Sequence, residues 1–250
     1  HNKKFTKQNL RAGIFIGILL FIGFATQTVG LKFTSATKSA FLTGTAVIIV
    51  PLLQVIIEKR PPTKGVIIGT MIVMIGISFL SSGGNSINNL FVDLGTNFNI
   101  GDLLTLICAF FFALYIIYLD VETSRYDFGI LLFLQIITTA VLSLLFLIFF
   151  SNTNLEPLKI NLTTNLVWAI IYTSIFATLI TTALQTKFQK NVTPAKAGII
   201  FSFEPIFAAV FAFFILGEKI TNFGYLGAGL ILVGLLISEL YENLLLKNER

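Results

Sequence analysis

The sequence predicts an all-α polytopic membrane protein: eight visible transmembrane helices of a ten-helix bundle built as an inverted five-plus-five repeat. Three observations carry this reading. The 250 residues are 55% hydrophobic and only 12% charged, with a mean hydropathy of +0.89, whereas a soluble domain carries about 25% charged residues. Eight apolar stretches approach the roughly 20 residues needed to cross a bilayer. The chain also superposes on itself when shifted by 158 residues. A soluble enzyme and a disordered chain are both excluded by this composition.

The stretches are 12–31, 37–57, 65–80, 102–119, 128–150, 165–186, 195–216 and 222–241. The first follows a basic start and resembles a secretory leader, but seven more spans follow it, so it is read as a span that stays. The second opens at Lys38 and contains Pro51. The third carries Gly65 and Gly69, and the first Gly13 and Gly17, spacings that permit close helix contact within a bundle. Asp102 opens the fourth and is read as its N-cap. The fifth, Phe128 to Phe150, holds no charge. The seventh contains Glu204-Pro205, and the eighth Gly227 and Gly234.

An even number of spans places both ends of the chain on one side. That side then receives 13 of the 17 Lys and Arg residues and the other side 4. The positive-inside rule makes the first side cytoplasmic, so the expectation is a multi-pass protein of a bacterial plasma membrane with both ends in the cytoplasm. Residues 81–101 hold no Lys or Arg, are rich in Gly and Asn, and read as an external loop. Cys108 is the single cysteine and His1 the single histidine, so neither a disulfide framework nor a Cys/His metal site is expected, and no cofactor is implied.

The 158-residue shift lays the first three stretches on the last three without a gap. Eleven of 55 positions from 22 to 76 are identical, among them Gln27/Gln185, Thr28/Thr186, Lys38/Lys196, Gly69/Gly227 and Gly76/Gly234. A shift of 160 is a competing register, pairing Glu58-Lys59 with Glu218-Lys219. Under either, the partners lie five spans apart, so the two halves have opposite orientation, a transporter architecture. The expected organisation is a first repeat over 1–85 (three helices), an external linker over 86–100, a second repeat over 101–241 (five helices) and a cytoplasmic tail over 242–250. The fourth and fifth stretches have no repeat partners before residue 1, so two further helices are expected upstream.

Several segments together resemble the EamA-like branch of the drug/metabolite transporter superfamily. They are Gly30 to Lys38 leading into Phe41 to Gly44, Val50-Pro51-Leu52, Gly101 to Leu104, Ala109 to Ala113, Ser202-Phe203-Glu204-Pro205, and Leu216-Gly217-Glu218 followed by Gly227 and Gly234. The resemblance implies a polytopic carrier of small metabolites, amino acids or related compounds, often an exporter. It lacks the family's first two helices, and the first half has no Glu-Pro pair in its second stretch.

Glu204 is the acid lying well inside a span. It falls eight residues past Lys196, about 12 Å along the helix at ~1.5 Å per residue, a depth where a charge costs roughly 2.5–3.5 kcal/mol on insertion scales. It is read either as a site for a substrate amine or a proton, or as a carboxyl bonded to a neighbouring helix. Pro51 and Pro205 each remove an N–H inside repeat-partner helices, and paired interrupted helices point to a binding site. The other candidates for a central cavity are Ser202, Gln27, Thr43, Gln135, Thr181, Gln185 and Tyr115. The alternative for the Ser and Thr hydroxyls is bonding to their own helix, and for Gln135 a helix–helix hydrogen bond. Lys38 and Lys196 open helices and read as snorkelling anchors.

These readings favour a secondary carrier working by alternating access, with a small-molecule substrate, the lipid bilayer as its surroundings, no nucleic-acid partner and an oligomeric state that stays open. The alternative is a non-transporting membrane scaffold or channel component. No metalloprotease or nucleophile-elbow motif argues for an enzyme.

Overall fold

The computed structural model describes residues 6–81, 88, 91, 92, 96, 98–152, 163–211, 214 and 221–248. The described elements are helical throughout: α1 (Lys7–Gly30), α2 (Ala36–Gly44), α3 (Ala46–Glu58), α4 (Lys64–Ser81), α5 (Ile100–Thr123), α6 (Phe128–Asn152), α7 (Thr164–Tyr172), a π-helical segment (Thr173–Ile180), α8 (Thr181–Phe188), a 3-10 turn (Gln189–Asn191), α9 (Pro194–Phe201), α10 (Glu204–Phe211) and α11 (Asn222–Asn248). Among the described residues, five segments are long and apolar enough to cross a bilayer: 7–30, 38–58, 100–123, 128–151 and 166–191. Residues 64–80 and 222–238 are shorter apolar helices. The protein is an all-α polytopic membrane protein, as its hydropathy predicts.

Three boundaries differ from expectation. α1 starts at Lys7 and α5 ends at Thr123, because their polar first and last turns extend apolar cylinders without a breaker. The expected tail is helical as far as Asn248, a continuation of α11, since no Gly or Pro follows 241 to stop it. Most of the expected linker over 86–100 lies outside the described residues.

The chain divides into two compact units. One comprises residues 1–22 and 118–192, the other 23–117 and 193–250. In the first unit, the start of α1 packs on α6 through Gly13 and Gly17, which lie against Leu134 and against Gln135 and Thr138. This is the close contact the glycine spacing predicts. Phe15 meets Tyr118 edge-on, with ring centroids 4.9 Å apart. The polar face of α6 turns inward: Gln135 is fully buried and donates to Thr186 Oγ1 at 2.6 Å, and Thr139 donates to the Gly17 carbonyl at 3.1 Å. The far half of α6 exposes Leu144, Leu145 and Phe149, the face a bilayer covers. The π segment has no Gly or Pro; there Thr178 Oγ1 donates to the Thr173 carbonyl five residues back, at 2.9 Å.

The second unit is organised around α4 and α11, its most extensive helix pair. These helices cross at glycines. A methyl built on Gly69 would lie 2.6 Å from the Gly234 carbonyl oxygen, and one on Gly76 would lie 2.7 Å from the Gly227 oxygen, so only glycine permits this approach. The repeat maps Gly69 onto Gly227 and Gly76 onto Gly234. Applied to the contact Gly69·Gly234 it generates the contact Gly227·Gly76. The crossing is therefore self-complementary about a local two-fold axis, as an inverted repeat requires. Around it Phe41, Leu42, Val47, Val73, Ile77, Ile199 and Ile231 form one buried cluster. Gln54, also buried, accepts from the Ala195 N–H at 3.1 Å and so satisfies a first-turn donor of α9.

Candidate substrate site

Two of the eight apolar stretches are broken in the middle, and the breaks are repeat partners. The second stretch divides into α2 and α3 at Thr45, and the seventh into α9 and α10 at Ser202 and Phe203. Thr45 shifted by 158 is Phe203. The backbone bonds coincide too: Thr45 N–H donates to the Leu42 carbonyl at 3.2 Å, and Phe203 N–H to the Ile200 carbonyl at 3.1 Å. The caps agree as well. Ser35 Oγ accepts from the Lys38 N–H at 3.2 Å, and Thr193 Oγ1 from the Lys196 N–H at 3.4 Å. Thr63 and Thr221 cap α4 and α11 in the same way. A shift of 160 aligns none of these, so 158 is the register of the fold.

The cause of the first break is not the expected proline. α3 runs through Pro51, which is buried in its interior. The interruption lies six residues earlier, where Thr45 directs both its N–H and its hydroxyl to the Leu42 carbonyl. That back-bonding tightens the turn and ends α2. In the seventh stretch Pro205 does fall beside the break, at the second residue of α10. Proline is tolerated in a first helical turn, where N–H groups lack partners in any case.

The chemistry at this level comes from three residues of the second unit. Glu204 opens α10 and is accessible. A carboxylate suits that position, because the first turn of a helix favours negative charge. Cys108, fully buried on α5, lies beside Thr43 and within electrostatic reach of Glu204. Thr43 Oγ1, two residues before the break, is buried and makes no hydrogen bond, so the thiol is its neighbour rather than its partner. An unpartnered buried hydroxyl costs about 1–3 kcal/mol, and a ligand hydrogen bond would recover it.

The remaining candidates separate. In the second unit, Ser202 is buried and donates to the Gly198 carbonyl of its own helix at 3.1 Å. Tyr115 is buried two turns beyond Cys108 on the same face of α5, and Gln27 is half-buried near the end of α1. In the first unit, Thr181 is exposed and bonds the carbonyls of Ala177 and Thr178. Gln185 is half-buried there, and Gln135 makes the helix–helix bond to Thr186. Among the described residues no cluster of three or more His, Cys, Asp or Glu is arranged to hold a metal ion.

A polar cluster that the sequence did not reveal lies at the other end of α2. Asp102 is not the N-cap of α5. Asn99 holds that place, accepting from the Asp102 N–H at 3.1 Å, while Asp102 Oδ2 accepts from the Asn99 N–H at 3.1 Å, a reciprocal capping arrangement. The same carboxylate accepts from Thr34 Oγ1 and pairs with Lys38 Nζ at 2.9 Å. Asp102 is fully buried and Lys38 nearly so, so Lys38 is an ion-pair partner and not a snorkelling anchor. Asn99-x-x-Asp102 has capping-box spacing and was readable as such. The 64-residue separation of Lys38 and Asp102 was not.

Repeat-partner helices broken at the same register, set in an apolar bundle beside a two-fold crossing, define the class: a polytopic membrane protein of transporter architecture. The chain belongs to the EamA-like transporter family, whose model matches residues 1–82 and 99–240. It is 31% identical over 232 residues to a protein of Archaeoglobus fulgidus described as an uncharacterized transporter, a match covering 93% of this chain and 70% of that one. A crystal structure superposes with a TM-score of 0.74 at 14% identity, covering 95% of this chain and 77% of the other; that likeness concerns the fold. The protein is thus an integral membrane transporter.

Proposed function

We propose that the protein is a secondary carrier that exports amino acids or related small metabolites by alternating access, with Glu204 holding the substrate ammonium. The observation that carries this reading is the coincidence of the two helix breaks, with a carboxylate at one of them. At the α10 break the carboxylate is accessible, and Thr43 supplies a hydroxyl without a protein partner. A primary amine, with three donors, matches one carboxylate and one hydroxyl acceptor. The reading takes 1–85 and 101–241 as the two repeats, and both chain ends as cytoplasmic in the plasma membrane, on the strength of the charge distribution.

The test is efflux of a labelled amino-acid mixture from cells carrying Glu204→Gln. The variant keeps the shape of the side chain but cannot ionise. Loss of a charge-assisted hydrogen bond, about 1.5–3 kcal/mol, corresponds to a transport rate roughly ten- to a hundredfold lower at subsaturating substrate, with normal insertion. Unchanged efflux of every amine-bearing substrate would remove Glu204 from the site.

A further inference from the structure

We propose that the cavity between the α5–α6 turn and the end of α8 binds the phosphate of an anionic membrane lipid. This cavity, about 260 Å³, is lined by Thr123, Tyr126, Asp127 and Phe128 on one side and by Thr186, Lys187, Phe188, Lys190 and Asn191 on the other. It is smaller than the roughly 300–1,000 Å³ of sites for drug-sized ligands, and suits a headgroup.

Two ammonium groups, Lys187 and Lys190, line it, with Tyr126 and Asn191 as neutral polar neighbours. Asp127, the acid of the lining, commits Oδ1 to the Gly129 N–H at 2.9 Å, capping α6. The charge balance of the cavity is therefore positive. Phe128 and Phe188 on its rim are 42% and 50% exposed, as aromatic residues are at a membrane interface. Lys187 Nζ sits 5.3 Å above the Phe188 ring, which holds the ammonium where apolar and polar surfaces meet. By the proposed orientation this end faces the cytoplasmic leaflet, where anionic lipids attract basic residues by about 1 kcal/mol each.

The test uses the full chain in detergent micelles, titrated with pyrene-labelled phosphatidylglycerol, so that its outcome does not depend on orientation or transport. Lys187→Gln/Lys190→Gln should weaken binding about thirtyfold, the ~1 kcal/mol per basic residue converted for two. Lys187→Arg/Lys190→Arg should bind like the parent, and so should Lys64→Gln, which removes a lysine outside the cavity. Equal affinity of the Gln double variant and the parent would overturn the proposal, as would equal affinity for labelled phosphatidylcholine. Displacement of the lipid by inorganic phosphate at comparable concentration would reassign the cavity to soluble phosphate and overturn the lipid assignment.

Discussion

The two broken helices share a geometry and differ in chemistry. At one break the residues are Gly44, Thr45 and Ala46; at the other, Ser202, Phe203 and Glu204. Capping and backbone hydrogen bonds repeat at each, to the residue. The carboxylate occurs once. A repeat under the constraint of a common fold conserves what holds the backbone, namely caps, break and glycine crossing, and leaves the reactive side chains free to diverge. On the proposed function, a substrate lying between the breaks would meet an asymmetric surface in a symmetric frame, and one end of a small polar molecule would be held in a fixed sense.

The comparison extends to the lysines that follow each cap, and the largest expected effect lies there. Lys38 is clamped by Asp102. In Asp102→Asn the ammonium stays buried without its anion, and such a loss costs about 3–5 kcal/mol. Thermal unfolding of the full chain in detergent should show it, and Asp102→Glu should recover part. A fall of less than ~1 kcal/mol would mean that Lys38 finds water on its own and that the pair contributes little.

Next comes the contrast between the breaks themselves. Glu204→Gln should abolish most transport while Ala46→Ser leaves it within about twofold, since a neutral first-turn residue costs only tenths of a kcal/mol to exchange. Equal losses in both would make the breaks equivalent hinges rather than one hinge and one ligand site. The glycine crossing tests the two-fold: Gly76→Ala and Gly234→Ala are repeat partners, and each places a methyl 2.7 Å from a backbone oxygen. Each should cost about 1–3 kcal/mol by overpacking, in near-equal measure. The smallest effects belong to the caps. Ser35→Ala and Thr193→Ala should each lower stability by about 1 kcal/mol, and a difference larger than that between them would show that only one cap bears on the fold.

The spans were legible because lipid imposes a one-dimensional rule, about twenty apolar residues per crossing. All eight apolar stretches were visible as such, even the two that are broken. The repeat was legible because Gln, Lys and Gly matches are rare in an apolar chain. The position of the first break was not, because proline is the conspicuous breaker and Thr45 breaks the helix through a local side-chain bond that composition does not reveal. The π segment was hidden for the same reason: Thr173 and Thr178 look like any helical threonines. At the site, Glu204 stood out by its depth, and Ser202 and Thr181 took the self-bonding alternative open to them. Cys108 reads as a solitary thiol in the sequence, and its position beside Thr43, within electrostatic reach of Glu204, is a property of three distant segments.

The Lys38–Asp102 pair also sets an order of events during synthesis. Lys38 leaves the ribosome 64 residues ahead of its anion. At ~5–20 residues per second that is a delay of roughly 3 to 13 seconds. Throughout that interval the first turn of α2 carries its positive charge without the Asp102 carboxylate, and water and lipid phosphate are surroundings able to accommodate it. The ion pair between α2 and α5 closes only once residues 99–102 have themselves arrived at the membrane, so α2 is laid down well before the carboxylate that fixes its first turn.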